Sequence, residues 1–205
     1  MLETENNTLE NILEVAKAEF MEKGYQQASL RNIAKKAGVT TGAFYGYFKN
    51  KEEIFDALVG PQYMYLMYMY QQNLEKLVKL PYANNPEEMR IMVTKAVQDM
   101  LEYIYQNFES FKLILCSSEG TKYNNIIHEM AVLDVKATHD FARNTAEKGI
   151  DLKNVNPKLE HMLTSGMFST FFELIIHDVP KAEAEEYTKQ LFDFYSAGWA
   201  KIMGF

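Results

Sequence analysis

Apolar residues recur at intervals of three and four along almost the whole 205-residue chain, which is the period of an amphipathic α-helix. The first such segment places Leu9, Ile12, Leu13, Ala16 and Phe20 on one face. Strict alternation of apolar and polar residues, the pattern of a half-buried strand, is rare, and glycines are few. The sequence therefore predicts an all-α protein of about nine helices.

The apolar content of 47% is sufficient for a sizeable core. The chain has 13 Phe, 13 Tyr and 12 Met, so bulky side chains either fill that core or line an apolar pocket that can repack around a ligand. The single cysteine, Cys116, cannot form an intramolecular disulfide or a zinc cage. Its apolar neighbourhood, FKLILCSSEG, predicts a buried and inert thiol, and a redox sensor is the alternative.

The longest purely apolar run, YMYLMYMY at Tyr63–Tyr70, has eight residues and is too short to cross a bilayer. As a helix it is apolar on every side, which predicts burial on every side. The N-terminus is acidic and polar, unlike a signal peptide. We therefore expect a cytoplasmic protein without a membrane partner.

Charge is unevenly distributed along the chain, whose formal net charge is −7. The segment from Lys23 to Lys51 contains six of the 21 basic residues and none of the 28 acidic ones. A basic block on an acidic body predicts one local contact with a polyanion. A solvated charged surface is the alternative interpretation.

The first 50 residues or so predict three helices, of which the second and third are joined by only three or four residues. Ser29 is a suitable N-cap for the second helix, and Gly38 suits its end because glycine adopts a left-handed backbone easily. Thr40 or Thr41 can begin a third, short helix that runs to Tyr47. This is a helix-turn-helix pattern, whose second helix enters the major groove of DNA.

The residues around this motif have side chains suited to nucleic-acid contact. Threonine hydroxyls can bond bases or phosphates, small residues let the backbone approach closely, and tyrosine hydroxyls can donate to phosphate oxygens. A helix start can also hold a phosphate. The predicted DNA-binding residues are Ser29, Arg31, Thr40, Thr41, Gly42, Ala43, Tyr45, Tyr47 and Lys51. By contrast, Phe44 and Phe48 are predicted to be core.

The segment ILEVAKAEFMEKGYQQASLRNIAKKAGVTTGAFYGYFKNKEEIF closely resembles the N-terminal domain of the TetR family of bacterial transcriptional regulators, over about residues 9–59. The resemblance lies in the G-Y before the second helix, the I-A-K-K-A-G-V-T run, the F-Y-x-Y-F and the K-x-E. Tyr47 stands where the family often has histidine, and its hydroxyl can still reach a phosphate.

The resemblance implies a helix-turn-helix DNA-binding domain at residues 1–60, with its motif at about 29–48, and a ligand-binding and dimerisation domain at residues 61–205. It implies a homodimer that binds palindromic double-stranded operator DNA and that a small molecule releases. The expected function is therefore a ligand-responsive repressor rather than an enzyme, without a cofactor. An activator of the same family is one alternative. An α-helical small-molecule carrier or enzyme with a non-functional DNA-binding domain is another.

The C-terminal part is expected to hold a lipophilic or aromatic effector, since its inward-facing residues are aromatic and Met-rich. The pocket candidates are Met67, Tyr70, Met100, Tyr103, Phe108, Phe111, Cys116, Tyr123, Met130, Phe168 and Phe172. A cation over tyrosine faces is possible there, and an acidic residue in the pocket would favour it. The resemblance places the dimer interface on the last two helices. Its expected residues are Met167, Thr170, Phe171, Leu174, Leu191, Phe194, Tyr195, Gly198 and Ile202.

The histidines and one Gly-Pro pair also bear on function. The four histidines, His128, His139, His161 and His177, do not predict a metal site, because His128 and His139 are about 16 Å apart along a helix. Gly60-Pro61 interrupts the fourth helical pattern, since Pro61 lacks an amide proton, so the helix is expected to kink or restart there. Bending at this point during the ligand response is a hypothesis, and a static kink is the alternative.

Overall fold

The computed structural model describes residues 2–80, 86–147, 153 and 155–203, and these residues contain nine α-helices and no strand. The helices are α1 (Leu2–Gln27), α2 (Leu30–Lys36), α3 (Thr41–Tyr47), α4 (Lys51–Lys79), α5 (Pro86–Gln106), α6 (Phe108–Ser117), α7 (Ile126–Ala146), α8 (Pro157–Ile176) and α9 (Lys181–Met203). A short 3₁₀ turn, Lys122–Asn125, precedes α7. The predicted all-α class with about nine helices is confirmed.

The chain forms two compact units. Unit 1 consists of the residues up to Tyr65 together with Asn107–Asn124, and it holds α1, α2, α3, the first half of α4 and α6. Unit 2 consists of Leu66–Gln106 and the residues from Asn125 onward, and it holds the rest of α4 with α5, α7, α8 and α9. The assignment of separate functions to residues 1–60 and 61–205 stays a prediction.

Aromatic rings form the centre of unit 1. The ring of Phe20 meets that of Phe55 edge to face at 5.1 Å, and both side chains are fully buried. Helical geometry is interrupted at Gly24, whose φ of 72° lies in the left-handed region that glycine tolerates. The ring of Tyr25 then stacks on Phe20 at 5.9 Å, so the interruption returns the chain to the core.

The fourth helix is continuous through Pro61 and does not restart there. The prediction that the following apolar run is buried on every side is wrong. Only Leu66 is fully buried, whereas Met64 and Tyr68 are 64% and 62% exposed. The physical reason is that one face of the helix packs inside the chain, and the opposite face has no described element over it.

Unit 2 is built largely on the packing of α7 against α8. Its fully buried side chains include Leu66, Ile104, Met130 and Phe172. Burying each such side chain contributes about 1.5–3 kcal/mol relative to leaving it in water. None of the helices that the structure describes combines the length and the hydropathy that a bilayer crossing requires.

The expectation that Cys116 is buried is also wrong, because this thiol is exposed. The buried face of α6 is formed by Phe111, Leu113, Ile114 and Ser117. Cys116 therefore lies on the outer side of the last turn of this helix, despite its apolar neighbours in sequence.

Candidate functional site

Each of the two helices of the predicted motif begins at the residue that the sequence indicates. The hydroxyl of Ser29 accepts a hydrogen bond from the Asn32 amide at 3.4 Å, and that of Thr40 accepts one from the Ala43 amide at 3.2 Å. Four residues separate α2 from α3. Gly38, with φ of 70°, makes the reversal, and the amide of Val39 then donates to the carbonyl of Ala34 at 3.0 Å.

The short helix α3 has one buried and one exposed side. Phe44 is 1% exposed, and Phe48, which follows the helix, is 8% exposed, as predicted for core residues. The first turn, with Thr41, Gly42 and Ala43, is exposed, and half of the surface of Tyr45 is accessible. This helix therefore presents small and hydroxyl-bearing residues to solvent.

All nine residues predicted to bind DNA belong to unit 1, and none of them is buried. The exposed ones are Arg31, Thr40, Thr41, Gly42, Ala43 and Tyr45, and the half-buried ones are Ser29, Tyr47 and Lys51. Their accessibility permits contact with DNA. Their assignment as DNA contacts stays a prediction.

Lys51 also has a structural role. Its ammonium donates to the carbonyl oxygens of Gln26 at 2.9 Å and Ala28 at 3.2 Å, and it lies 4.8 Å from the ring centre of Tyr25. Burial lowers the pKa of this ammonium below its usual value. Because an ammonium has three N–H donors, one donor remains for a phosphate after these two bonds.

Sequence reasoning missed a buried acid that neutralises part of the basic block. The carboxylate of Glu19 is fully buried and accepts hydrogen bonds from Lys36 at 2.8 Å, Lys23 at 2.9 Å and Asn32 at 3.4 Å. Bonds from Lys36 and Lys23 lower the pKa of Glu19 to about 2. The available signal was its position beside Phe20 on the apolar face of α1.

Two of the six cations are thus paired within the protein. Among the described residues Arg31, Lys35 and Lys49 have no acidic side chain as a salt-bridge partner. These three cations flank the short helix α3 in sequence. They are the part of the basic block whose charge is directed outward, so an external polyanion would interact mainly with them.

Unit 2 contains an apolar cavity of about 160 Å³. Side chains of α4, α5, α8 and α9 form most of its wall. Of the predicted pocket residues, Tyr70, Met100 and Phe168 border it. Met67, Tyr103, Met130 and Phe172 belong to unit 2 but do not border this cavity, and Phe108, Phe111, Cys116 and Tyr123 belong to unit 1.

Of the residues predicted for the dimer interface, some border the cavity of unit 2 and others lie at the surface. Met167, Phe171, Leu191 and Tyr195 border the cavity, and Leu174 is buried. The Tyr195 hydroxyl lies 3.1 Å from that of Thr170. Phe194 is 71% exposed, Gly198 is exposed and Ile202 is half-buried. Whether any of them contacts a second copy stays a prediction.

A carboxylate on the cavity wall was not singled out from the sequence. The hydroxyl of Tyr70 donates to Oδ2 of Asp134 at 2.5 Å. Asp134 lies on the stripe of α7 that includes the buried residues Ile126, Met130 and Ala137. An acid at a core-facing position of an amphipathic helix is the signal that could have identified it.

Two histidines that are distant in sequence approach each other in unit 2. The rings of His128 and His161 meet edge to face at 5.1 Å, while His139 pairs with the buried carboxylate of Glu160. Within the part of the chain that the structure describes, no group of three or more His, Cys, Asp or Glu residues is arranged to hold a metal ion.

The N-terminal segment is similar in sequence to known bacterial regulatory proteins. Residues 12–58 match the family model described as bacterial regulatory proteins, tetR family. The repressor BepR of Brucella suis is 45% identical over 53 residues, which are 26% of this chain and 25% of BepR. The fatty acid metabolism regulator of Bacillus subtilis is 33% identical over 84 residues, which are 41% of each chain. The alignments thus span well under half of these relatives.

Solved structures match over nearly the full length. A transcriptional regulator of the AcrR family from Aquifex aeolicus superposes with a TM-score of 0.55 at 25% identity, covering 91% of this chain and 98% of that one. NalD of Pseudomonas aeruginosa, the secondary repressor of a multidrug efflux pump, gives a TM-score of 0.55 at 20% identity, covering 96% and 97%. The second likeness shows the fold alone.

Proposed function

Because the chain belongs to the TetR family of bacterial regulatory proteins, we propose that it is a DNA-binding transcriptional regulator and not an enzyme. More specifically, we propose a repressor that leaves its operator when a small lipophilic molecule binds in unit 2. The name of one relative supports this proposal, since BepR, which is 45% identical over 53 residues, is named as a repressor.

The observation that carries the proposal is the exposed side of α3. The helix is anchored by Phe44, while Thr41, Gly42 and Ala43 face solvent without a bulky side chain among them. In a helix-turn-helix these N-terminal positions contact base edges in the major groove. The hydroxyls of Thr40 and Tyr45 are available for phosphate oxygens, which fix the position of the protein on the duplex.

We propose a homodimer, since a palindromic operator is matched by two DNA-binding domains related by a two-fold axis. The α9 face that contains Phe194 supports this. Phe194 is 71% exposed, and the exposed residues Ala197 and Gly198 follow it by about one turn. A phenylalanine at such exposure, beside small residues that allow close helix approach, suits contact with a second copy. Light scattering of the purified protein, compared with Phe194→Glu, tests this directly, and a monomeric wild-type chain would contradict it.

Ligand response would follow from linkage between the cavity and the DNA-binding state. An effector that binds one conformation of the dimer more tightly shifts the population toward it. If that conformation separates the two recognition helices from their spacing of about 34 Å, DNA affinity falls. The size and apolar wall of the unit 2 cavity support a small lipophilic effector.

The decisive experiment is a fluorescence anisotropy titration of the full chain with the DNA upstream of its own gene. We expect sequence-specific binding that weakens steeply with salt, because phosphate contacts release counterions. Binding that is equal for scrambled DNA would contradict a specific regulator. A reporter fused to the same promoter then separates repression from activation.

A further inference from the structure

The cavity of unit 2 has a nearly wholly apolar wall with one acidic side chain in it. Met100, Phe168 and Phe171 are among the residues that form the hydrophobic surface, and Asp134 of α7 contributes the carboxylate. The volume of about 160 Å³ is close to that of cavities that accommodate a benzene ring. A ligand of this site therefore has a compact apolar body.

Asp134 has one described hydrogen bond, from the hydroxyl of Tyr70 at 2.5 Å. Among the described residues no cationic side chain pairs with this carboxylate. Burial raises the pKa of Asp134 above its usual value, the hydrogen bond from Tyr70 opposes this rise, and the negative charge of Glu160 adds to it. An ionised carboxylate has about four lone-pair sites, so one hydrogen bond leaves it able to accept more.

The aromatic surroundings favour positive charge. The ring of Tyr70 meets that of Phe168 edge to face at 5.5 Å, and both border the cavity together with Phe171. Aromatic faces attract an ammonium group, most strongly where water is excluded. Asp134 is only partly exposed, and a carboxylate that has lost part of its hydration is costly unless a counter-charge accompanies it. An organic cation satisfies both features, whereas an anionic ligand would be repelled by Asp134.

We propose that this cavity binds a small organic cation, a primary or secondary ammonium on an aromatic or aliphatic body, with Asp134 as its charge partner. The inference rests on the proposed ligand-responsive function and names the chemical class of the effector. The ammonium donates to the free lone pairs of Asp134, and the apolar body contacts Phe168 and Phe171.

The first test compares two probes of nearly equal shape on the wild-type full chain by isothermal titration calorimetry at neutral pH. Benzylammonium carries the charge, and benzyl alcohol replaces the ammonium by a hydroxyl. We expect benzylammonium to bind at least tenfold more tightly. Equal affinity for the two probes, or tighter binding of the alcohol, would overturn the inference without reference to any variant.

The second test uses Asp134→Asn, which keeps the size and a hydrogen-bonding oxygen and removes the charge. We expect at least a tenfold loss for benzylammonium and less than a threefold change for benzyl alcohol. Asp140→Asn is the matched control, because Asp140 lies on the same helix, pairs with Arg143 at 3.2 Å and does not border this cavity. An equal loss in both variants would also overturn the assignment to Asp134.

DNA binding is measured separately, so that the two proposals can fail independently. If benzylammonium binds through Asp134 but leaves operator affinity unchanged at saturation, the cation site stands and ligand-responsive repression is contradicted for this class. If a neutral compound releases the operator and competes at this cavity while benzylammonium does not bind, the regulator stands and the cation site is overturned.

Discussion

The ammonium of Lys36 on α2 donates to Oε2 of Glu19 on α1 at 2.8 Å, and the carboxylate that receives it has no accessible surface. Lys23 completes the arrangement at 2.9 Å. The first helix of the helix-turn-helix motif, α2, is thus attached to α1 by charge as well as by apolar packing. Part of a segment that is basic in sequence therefore stabilises unit 1 and has less charge available for DNA.

Replacing Glu19 by Gln removes this charge and should lower the free energy of unfolding by about 1–3 kcal/mol at pH 7, because two lysines lose their partner. The carboxylate has a pKa of about 2 in the native state and 4.5 as its ordinary value. Its contribution is therefore complete above pH 4.5 and is lost as the pH falls from 4.5 toward 2. Urea denaturation at several pH values from 7 to 2.5 measures both effects.

The variant Glu10→Gln serves as the control for Glu19→Gln, because Glu10 is an exposed acid of the same helix. We expect the stability difference between Glu19→Gln and the wild-type chain to narrow below pH 4.5. A constant difference across the whole range would show that the ionised carboxylate is not the stabilising group.

Arg31→Gln and Lys36→Gln should differ in their effect on DNA binding. Arg31 is exposed and forms no ion pair among the described residues, so its loss should reduce the salt-dependence slope of operator binding by up to about one unit. Lys36 is already paired with Glu19, so its loss should act mainly through stability. Anisotropy titrations between 50 and 300 mM salt compare the two, and equal slopes would contradict the distinction.

Tyr45→Phe should weaken operator binding severalfold and leave the fold intact. The ring keeps its edge-to-face contact with Phe44 at 5.9 Å, and only the exposed hydroxyl is lost. Because this hydroxyl is expected to contact phosphate, the loss should be similar for the operator and for single-base variants of it. Thr41→Ala should instead change base preference. If Tyr45→Phe changed the base preference, the Tyr45 hydroxyl would have to contact a base and not the phosphate backbone of DNA.

Gly60→Ala should destabilise unit 1 although alanine favours helices. A Cβ at this position would lie 2.9 Å from the hydroxyl of Tyr123, which donates to Asp56 at 2.8 Å. In a Tyr123→Phe background the obstacle is absent, and the same change should stabilise by up to about 1 kcal/mol. Thermal denaturation of the four chains forms a double-mutant cycle. If the effects of Gly60→Ala and Tyr123→Phe on stability are additive, the Tyr123 hydroxyl moves aside without an energetic cost, and the expected clash is contradicted.

Cys116 should react with a thiol reagent at about one equivalent per chain under native conditions, because it is exposed. A spectrophotometric thiol assay with and without denaturant provides the measurement. Reaction only after denaturation would restore the sequence-based expectation of a buried thiol.

The second and third helices could be predicted closely because their signals are local. Ser29 and Thr40 cap their helices through hydrogen bonds three residues ahead, and Gly38 is required by the backbone angle of the turn. Such interactions depend on a few neighbouring residues, which the sequence displays directly. The same holds for Phe44 and Phe48 as buried residues of the motif.

The cavity and the exposed run in α4 could not be predicted in the same way. Which aromatic residues border a cavity depends on how α4, α5, α8 and α9 pack against one another. The spacing of apolar residues predicts which face of each helix is buried, but it does not show which other helix that face contacts. Met64 and Met100 have similar chemistry, yet the first is 64% exposed and the second borders the cavity. The role of Asp134 likewise depends on Tyr70, which is 64 positions away in the chain.

The helix α3 has only seven residues, too few to persist alone in water. Its shape is held by Phe44, by the Thr40 cap and by the packing of α2. The proposed recognition of DNA through α3 would therefore depend on the folding of unit 1. If α3 binds an operator as proposed, substitutions in the core around Phe20 should lower operator occupancy even where every residue that would face the duplex is unchanged.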